Sequence, residues 1–99
     1  PLDVQGLSYA LQQMLERAVI RFRTEPGDLG RIDYAERAAR LVRAAPFPVD
    51  LGTTQNLFYE LLQARYPEHA HLARQGDENS RAWVIRFVAL GNALHIRVD

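Results

Sequence analysis

The fold is decided by one stretch near the end of the chain, Arg81-Ala82-Trp83-Val84-Ile85-Arg86-Phe87-Val88-Ala89-Leu90-Gly91-Asn92-Ala93-Leu94. Its largest side chains recur at spacings of three and four residues: Trp83, Phe87, Leu90 and Leu94. That spacing is the period of an α-helix and collects these side chains on one face. Because a helix that is apolar around most of its circumference is a buried one, we predict a central helix over residues 78–94 with Trp83 in the core.

Three amphipathic helices are predicted upstream of this central helix, over residues 3–23, 31–45 and 51–66. The first has Asp3 as a candidate N-cap, since a carboxylate accepts hydrogen bonds from free backbone N–H groups in the first turn. Its expected inward face is Leu7, Leu11, Met14, Leu15, Ala18 and Phe22. Prolines at positions 26, 46 and 48 separate the helices, because proline cannot continue a helix.

The rest of the chain is expected to be irregular. Pro67 interrupts the helical pattern, so the segment Glu68–Arg74 is predicted to be only a short helical turn. The tail His95–Asp99 alternates between polar and apolar residues but is too short to indicate a strand. Four helices with short connections favour an all-α fold, a small antiparallel four-helix bundle that occupies residues 1–99 as one domain.

The length and the amino-acid composition limit the cellular setting. The 99 residues make one domain, and they contain no cysteine for disulfides or thiolate metal sites. No apolar run approaches the length of about 20 residues that a membrane span needs, and no signal peptide is recognisable. We therefore expect a cytoplasmic protein with no membrane association. The chain opens on Pro1 and has Met14 as its sole methionine, so we expect a domain cut from a longer protein.

The charged residues argue against several functions. All 12 cations are arginines and there are 12 acids, so the formal net charge is zero. Without lysine, neither a Schiff base nor a P-loop can form, and without net positive charge nonspecific nucleic-acid binding loses its driving force. Arginines do cluster on the first two helices, at 17, 21, 23, 37, 40 and 43. Acidic residues interleave with them, notably in the i,i+4 pairs Asp33–Arg37 and Glu36–Arg40. These pairs favour a salt-bridged, solvated face, and nucleic-acid binding stays only as an alternative.

No catalytic, cofactor-binding or metal-binding residue is predicted. The nearest metal signature is Glu68-His69-Ala70-His71, but histidines two apart point to different sides of a helix. We interpret this segment as an exposed polar turn. His95 is expected to cap the end of the last helix, where a cation meets the negative end of the helix dipole. Ser8 and Ser80 lack the glycine elbow of a hydrolase nucleophile.

A polar and aromatic strip on the third helix is the candidate contact surface. Gln55 and Tyr59 are four residues apart and share a face, with Asn56 beside them. Such a strip next to the core stripe is suited to contact with another protein or an adjacent domain. Alternatively, Asn56 hydrogen-bonds the loop backbone at residues 46–48, and the strip has no partner.

Three segments carry a resemblance to a known family. The runs Phe47–Leu51, Gln55–Glu60 and Leu90–Ile96 resemble the C-terminal helical region of bacterial family-57-type glycoside hydrolases, the alpha-amylase/alpha-mannosidase-like proteins. The catalytic carboxylates of that family belong to a separate barrel-like domain, so no active-site residue is carried over to this chain. The resemblance implies an accessory helical domain that packs against a larger enzyme, with no cofactor of its own.

Three functional hypotheses follow from the sequence. The leading one is a noncatalytic helical module for interdomain or protein–protein contact, through Gln55, Asn56 and Tyr59. The second is a part of a glycan-acting enzyme whose catalytic site lies in a missing domain. The third is weak nucleic-acid binding through the arginine faces. Self-association into a homo-oligomer is left open by the sequence.

Overall fold

The structure, a computed structural model, describes residues 3–98 and contains five α-helices and no strand in that range. These are α1 (Val4–Thr24), α2 (Leu29–Arg43), α3 (Gly52–Ala64), α4 (Tyr66–Arg74) and α5 (Glu78–Ala93). The predicted all-helical class is confirmed. The boundaries of α1, α2, α3 and α5 lie within about two residues of the predicted ones, a difference typical of fraying helix ends.

The prediction of four helices was wrong, because the segment after Pro67 forms a nine-residue helix, α4. Pro67 lies in the first turn of α4. Proline is favoured there, since its missing N–H would have no partner within the helix and its fixed φ suits helical geometry. Arg65 alone joins α3 to α4. Pro67 therefore begins a helix at the point where the sequence pattern indicated an interruption.

Aspartates begin three of the helices. The Asp3 carboxylate accepts a hydrogen bond from the Gly6 N–H at 3.0 Å, as predicted. Asp28 caps α2 through two backbone N–H groups, and Asp77 caps α5 through the Ser80 N–H at 2.9 Å. Hydrogen bonds from Ser80 lower the pKa of Asp77, because they stabilise its charged form.

Helix α5 is the centre of the core, and the predicted burial of Trp83 is confirmed at 1% exposure. Its indole Nε1–H donates to the Pro26 carbonyl at 2.6 Å, which satisfies the buried polar group. Phe87 stacks on Trp83 with centroids 4.7 Å apart and on Phe58 at 4.3 Å. We call this assembly the aromatic core, and its members are Phe22, Phe58, Tyr66, His69, Trp83 and Phe87.

Helices α1 and α2 form an antiparallel hairpin. Ser8 Oγ near the start of α1 donates to the Pro48 carbonyl beyond the end of α2, while Arg31 Nη1 at the start of α2 donates to the Arg21 carbonyl near the end of α1. All buried residues of α1 lie in its second half. The inward placement of Leu7 was therefore wrong, since this residue is 40% exposed. None of the helices within residues 3–98 has the length and apolar character of a membrane span.

The segment after α5 folds back over that helix. The His95 N–H donates to the Asn92 carbonyl and the Ile96 N–H donates to the Gly91 carbonyl at 2.8 Å, the pair of bonds that ends a helix in a Schellman motif. Ile96 is buried. A Cβ atom on Gly91 would lie 2.9 Å from the Ile96 oxygen and from the Phe58 ring, so only glycine permits this close approach. Asp99, the last residue of the predicted tail, lies outside the described residues.

Candidate functional site

An open apolar groove lies on the outside of the α1/α2 hairpin. Its buried floor is formed by Ala18 and Ala38, while Tyr34 and Leu41 on its α2 side are 56% and 57% exposed. Met14 completes the lining from α1. Two adjoining cavities of about 450 and 250 Å³ share Tyr34 as a wall. We call this surface the α1/α2 trough, lined by Met14, Ala18, Tyr34, Ala38 and Leu41.

The rim of the trough is positively charged. Arg21, Arg31 and Arg37 line the two cavities together with one acid, Asp28. The Asp28 carboxylate is already engaged by the backbone N–H groups at the start of α2 and lies 3.6 Å from Arg31. Arg37 is paired with Asp33 at 3.3 Å, so Arg21 is the one rim cation with no carboxylate within ion-pair distance among residues 3–98. Anionic groups next to an apolar stripe would complement this surface.

The three residues of the predicted α3 strip have different surroundings. Gln55 is half-buried, and its Nε2 donates to the Leu94 carbonyl at 2.9 Å, so its amide ties α3 to the end of α5. Asn56 is exposed, and Tyr59 is 48% exposed. The alternative partner for Asn56, the loop at residues 46–48, receives its hydrogen bond from Ser8 instead. Asn56 and Tyr59 remain available as a polar contact surface.

Most of the clustered arginines are engaged within the chain. The predicted pairs Asp33–Arg37, at 3.3 Å, and Glu36–Arg40 are confirmed. Arg23 pairs with Glu60 of α3 at 3.1 Å. Within residues 3–98, no carboxylate lies within ion-pair distance of Arg17 or Arg21. Of the clustered arginines, Arg17 and Arg21 on α1 and Arg43 at the end of α2 therefore have no ion pair within residues 3–98, and only Arg21 lines the trough.

The two histidines of the Glu68–His71 segment face different environments, as their spacing predicted. His71 is exposed, but the His69 ring lies flat on Trp83 with centroids 3.9 Å apart. The interpretation of the segment as an exposed turn was therefore wrong for His69. Burial lowers the pKa of His69, and its Nδ1 is buried without a hydrogen-bond partner. Within the described range, no group of three or more histidine or carboxylate side chains is placed so that it could hold a metal ion.

The sequence contains one signal for the α1/α2 trough. Tyr34 and Leu41 are seven residues apart, so they lie on the same face of α2 two turns apart. This face adjoins the buried face of α2. Sequence alone cannot show that it is exposed to solvent, because that depends on where α1 packs. Met14 was assigned to the core, and the structure places it at the edge, half-buried.

Comparison with known proteins gives no relative. Neither the models of protein families, nor the curated proteins, nor the solved structures contain a match to this chain. The features that bear on function are those of an all-helical protein with a closed aromatic core and an open trough.

Proposed function

We propose that this chain is a noncatalytic helical module that binds another protein, or an adjacent domain, through the α1/α2 trough. The observation that carries the proposal is the exposure of more than half of Tyr34 and of Leu41 beside a buried alanine floor. Aromatic side chains at the edge of an apolar cleft are the usual anchors of a protein interface. Tyr34 can contribute both apolar contact area and a phenolic hydroxyl.

The partner surface that fits the trough best is an amphipathic helix with acidic flanks. From Asp28 to Leu41 the trough runs along α2 for about 20 Å, since a helix rises about 1.5 Å per residue. A partner helix of about 14 residues would cover that length. Its apolar face would lie against Tyr34 and Leu41 as in other helix-in-groove complexes, and its carboxylates would face Arg21 and Arg31.

A second copy of this chain fits the trough less well. In a symmetric dimer the same surface is present on both sides of the interface, so the arginine rims of the two copies would face each other. Like charges in an interface disfavour that pairing. Light scattering over a concentration series should therefore show a monomer. A stable dimer that the Tyr34→Ala/Leu41→Ala variant dissociates would contradict the proposed occupant.

The proposal is tested with two designed helical peptides that share one apolar face. One has glutamates and the other has lysines along its flanks. Fluorescence anisotropy should show that the acidic peptide binds at least about tenfold more tightly at low salt, and that added salt narrows this difference. Equal affinity for both peptides, or tighter binding of the lysine peptide, would contradict the charge complementarity.

A matched pair of variants locates the binding surface. Tyr34→Ala/Leu41→Ala should weaken binding of the acidic peptide by about tenfold or more, because both anchors are lost. Ile85→Ala, at an apolar residue of α5 that is 68% exposed, should leave the affinity unchanged. If Ile85→Ala weakens binding and the double variant does not, the contact surface is not the trough.

The polar strip on α3 is the second candidate surface for the same function. Asn56 and Tyr59 are exposed on α3, whereas Gln55 is committed to Leu94. A flat polar surface of this kind suits a constant interdomain contact better than capture of a separate helix. Loss of peptide affinity in Tyr59→Ala, with Tyr34→Ala/Leu41→Ala unaffected, would favour the strip over the trough.

The identity of an adjacent domain is a further part of the proposal. Two of the segments that resemble family-57-type glycoside hydrolases meet at the Gln55–Leu94 hydrogen bond, which supports the idea that they form one structural unit. An accessory role beside a glycan-acting catalytic domain would follow, with no catalytic residue in this chain. A catalytic domain encoded next to this one in the parent gene would support that role, and a free-standing gene would contradict it.

A further inference from the structure

A separate cavity lies at the opposite end of the α2 helix from the Asp28 cap. Its volume is about 450 Å³, within the range of small-molecule sites. The walls are apolar and come from the end of α2 and from the loop between α2 and α3. The large apolar side chains of these walls are Val42, Phe47, Val49 and Leu51. This cavity shares no lining residue with the α1/α2 trough.

Two basic residues line the same cavity. Arg43, the last residue of α2, donates from Nη1 to the Asn92 carbonyl at 3.2 Å, which holds its guanidinium near the end of α5. His95 follows Leu94, the C-cap of α5. Within residues 3–98, no carboxylate lies within ion-pair distance of either side chain. The cavity therefore combines apolar walls with two basic side chains that have no carboxylate partner among residues 3–98.

The Schellman motif at the end of α5 requires a left-handed backbone at His95, but it does not require a histidine there. This residue has a φ of 62°, the left-handed region, at the position after the C-cap where glycine is the usual choice. A glycine would make the same two capping hydrogen bonds without a Cβ penalty. Strained residues of this kind concentrate at binding sites, where the side chain has a use of its own.

We propose that this cavity is a binding site for a small amphipathic carboxylate, whose apolar tail packs among Phe47, Val49 and Leu51. The carboxylate accepts hydrogen bonds from the Arg43 guanidinium, which has further N–H donors beside the one on Asn92, and from the His95 imidazole. Charge-assisted bonds of this type fix the orientation of a ligand. Burial of the tail supplies the rest of the affinity.

The test uses octanoate and 1-octanol, which have the same chain length and differ in the charged group. Titration of ¹⁵N-labelled protein by NMR should show octanoate-induced shifts that are confined to residues of the cavity, such as Val49, Leu51 and His95. Octanol should bind about tenfold more weakly, since it cannot pair with Arg43. Shifts spread over the whole surface, or equal affinity for both compounds, would overturn the proposal.

Two variants separate a binding role from a structural one. His95→Gly relieves the strained backbone, so its melting temperature should rise by about 2–4 °C, while its affinity for octanoate falls several-fold. Arg43→Gln should also weaken octanoate binding, and Arg40→Gln, on the same helix but paired with Glu36, should not. Undiminished binding in both His95→Gly and Arg43→Gln would overturn the proposal, because each variant removes one proposed donor.

Discussion

The aromatic core and the α1/α2 trough both contain large apolar and aromatic side chains, but those of the core are buried and those at the edge of the trough are exposed. In the aromatic core, Trp83 and Phe87 are almost completely buried, stacked on each other and on neighbours from other helices. In the trough, Tyr34 and Leu41 remain more than half exposed although they lie on a helix that is itself well packed. Apolar content alone therefore does not distinguish a residue that holds the fold from one that is free to bind a partner.

The difference comes from the number of helices that reach each face. Helix α5 packs against both α2 and α4. Its side chains Trp83, Phe87 and Leu90 are buried, whereas Ile85 is 68% exposed. On the outer face of the α1/α2 hairpin, Tyr34 and Leu41 are more than half exposed, so no helix within residues 3–98 covers them. Exposed apolar side chains mark an interaction site when they form a contiguous surface. The two regions should accordingly respond to substitution in opposite ways.

The largest expected effect is the loss of the indole at the centre of the aromatic core. Trp83→Ala removes the stack on Phe87 and His69 and the hydrogen bond to Pro26, so it should lower the free energy of unfolding by about 3–5 kcal/mol. Urea denaturation followed by circular dichroism measures this change. A loss below about 1 kcal/mol would mean that the core is not organised around Trp83.

A smaller loss is expected where the tail packs on α5. Gly91→Ala places a methyl group 2.9 Å from the Ile96 oxygen and from the Phe58 ring, so overpacking should lower the free energy of unfolding by about 1–3 kcal/mol. Gly27→Ala is the matched control, because a Cβ there meets nothing within 4 Å. Similar stability of the two variants in the same urea titration would contradict the close approach of the tail.

The pH dependence of stability provides a third test on the aromatic core. Burial against Trp83 lowers the pKa of His69, partly offset by Glu68 and Asp77 and reinforced by Arg65. Since the folded state resists protonation, its stability is full above about pH 6.5, the ordinary histidine value, and declines as the pH falls from there toward the lowered pKa. Urea titrations over this range should show the decline.

Two histidine variants isolate that effect. His69→Phe keeps an aromatic ring on Trp83 and removes the titrating group, so its stability should vary less between about pH 7 and 5. His71→Asn, at the exposed histidine two residues away, should retain the dependence of the parent chain. A parent chain that becomes more stable as the pH falls would instead indicate that a cationic imidazole over the indole is favoured.

The smallest effect on stability is expected in the α1/α2 trough. The combined substitution Tyr34→Ala/Leu41→Ala should change the free energy of unfolding by less than about 1 kcal/mol, because both side chains remain largely in water. The same urea titration measures it. A loss comparable to that of Trp83→Ala would place these residues in the core and remove the distinction between the two regions.

The fold was largely predictable from the sequence, because the signals that mark each helix lie within a short stretch of the chain. Helical spacing located four of the helices and the burial of Trp83, and Asp3 was recognisable as a cap. The sequence did not predict α4, since Pro67 is equally compatible with the end of one helix and the first turn of the next. Nor did it predict the stacking of His69 on Trp83, which depends on how α4 docks on α5.

The functional surfaces were less predictable, because each depends on two elements that are distant in the sequence. The trough requires α1 and α2 to be side by side, and the cavity at Arg43 requires the ends of α2 and α5 to meet. The sequence pattern indicated that Gln55 belongs to an exposed polar surface. In the structure its side-chain amide instead donates to the carbonyl of Leu94, 39 residues away. Spacing within one helix cannot reveal such long-range partners.

The most direct test of the trough as the contact surface is NMR mapping of the acidic helical peptide on ¹⁵N-labelled protein. Docking in the trough should shift the amide signals of Met14, Tyr34, Ala38 and Leu41. The amide signals of Trp83 and Tyr59 should not shift. Shifts that centre instead on Asn56 and Tyr59, or that are absent at saturating peptide, would contradict the assignment of the trough as the site that binds a partner.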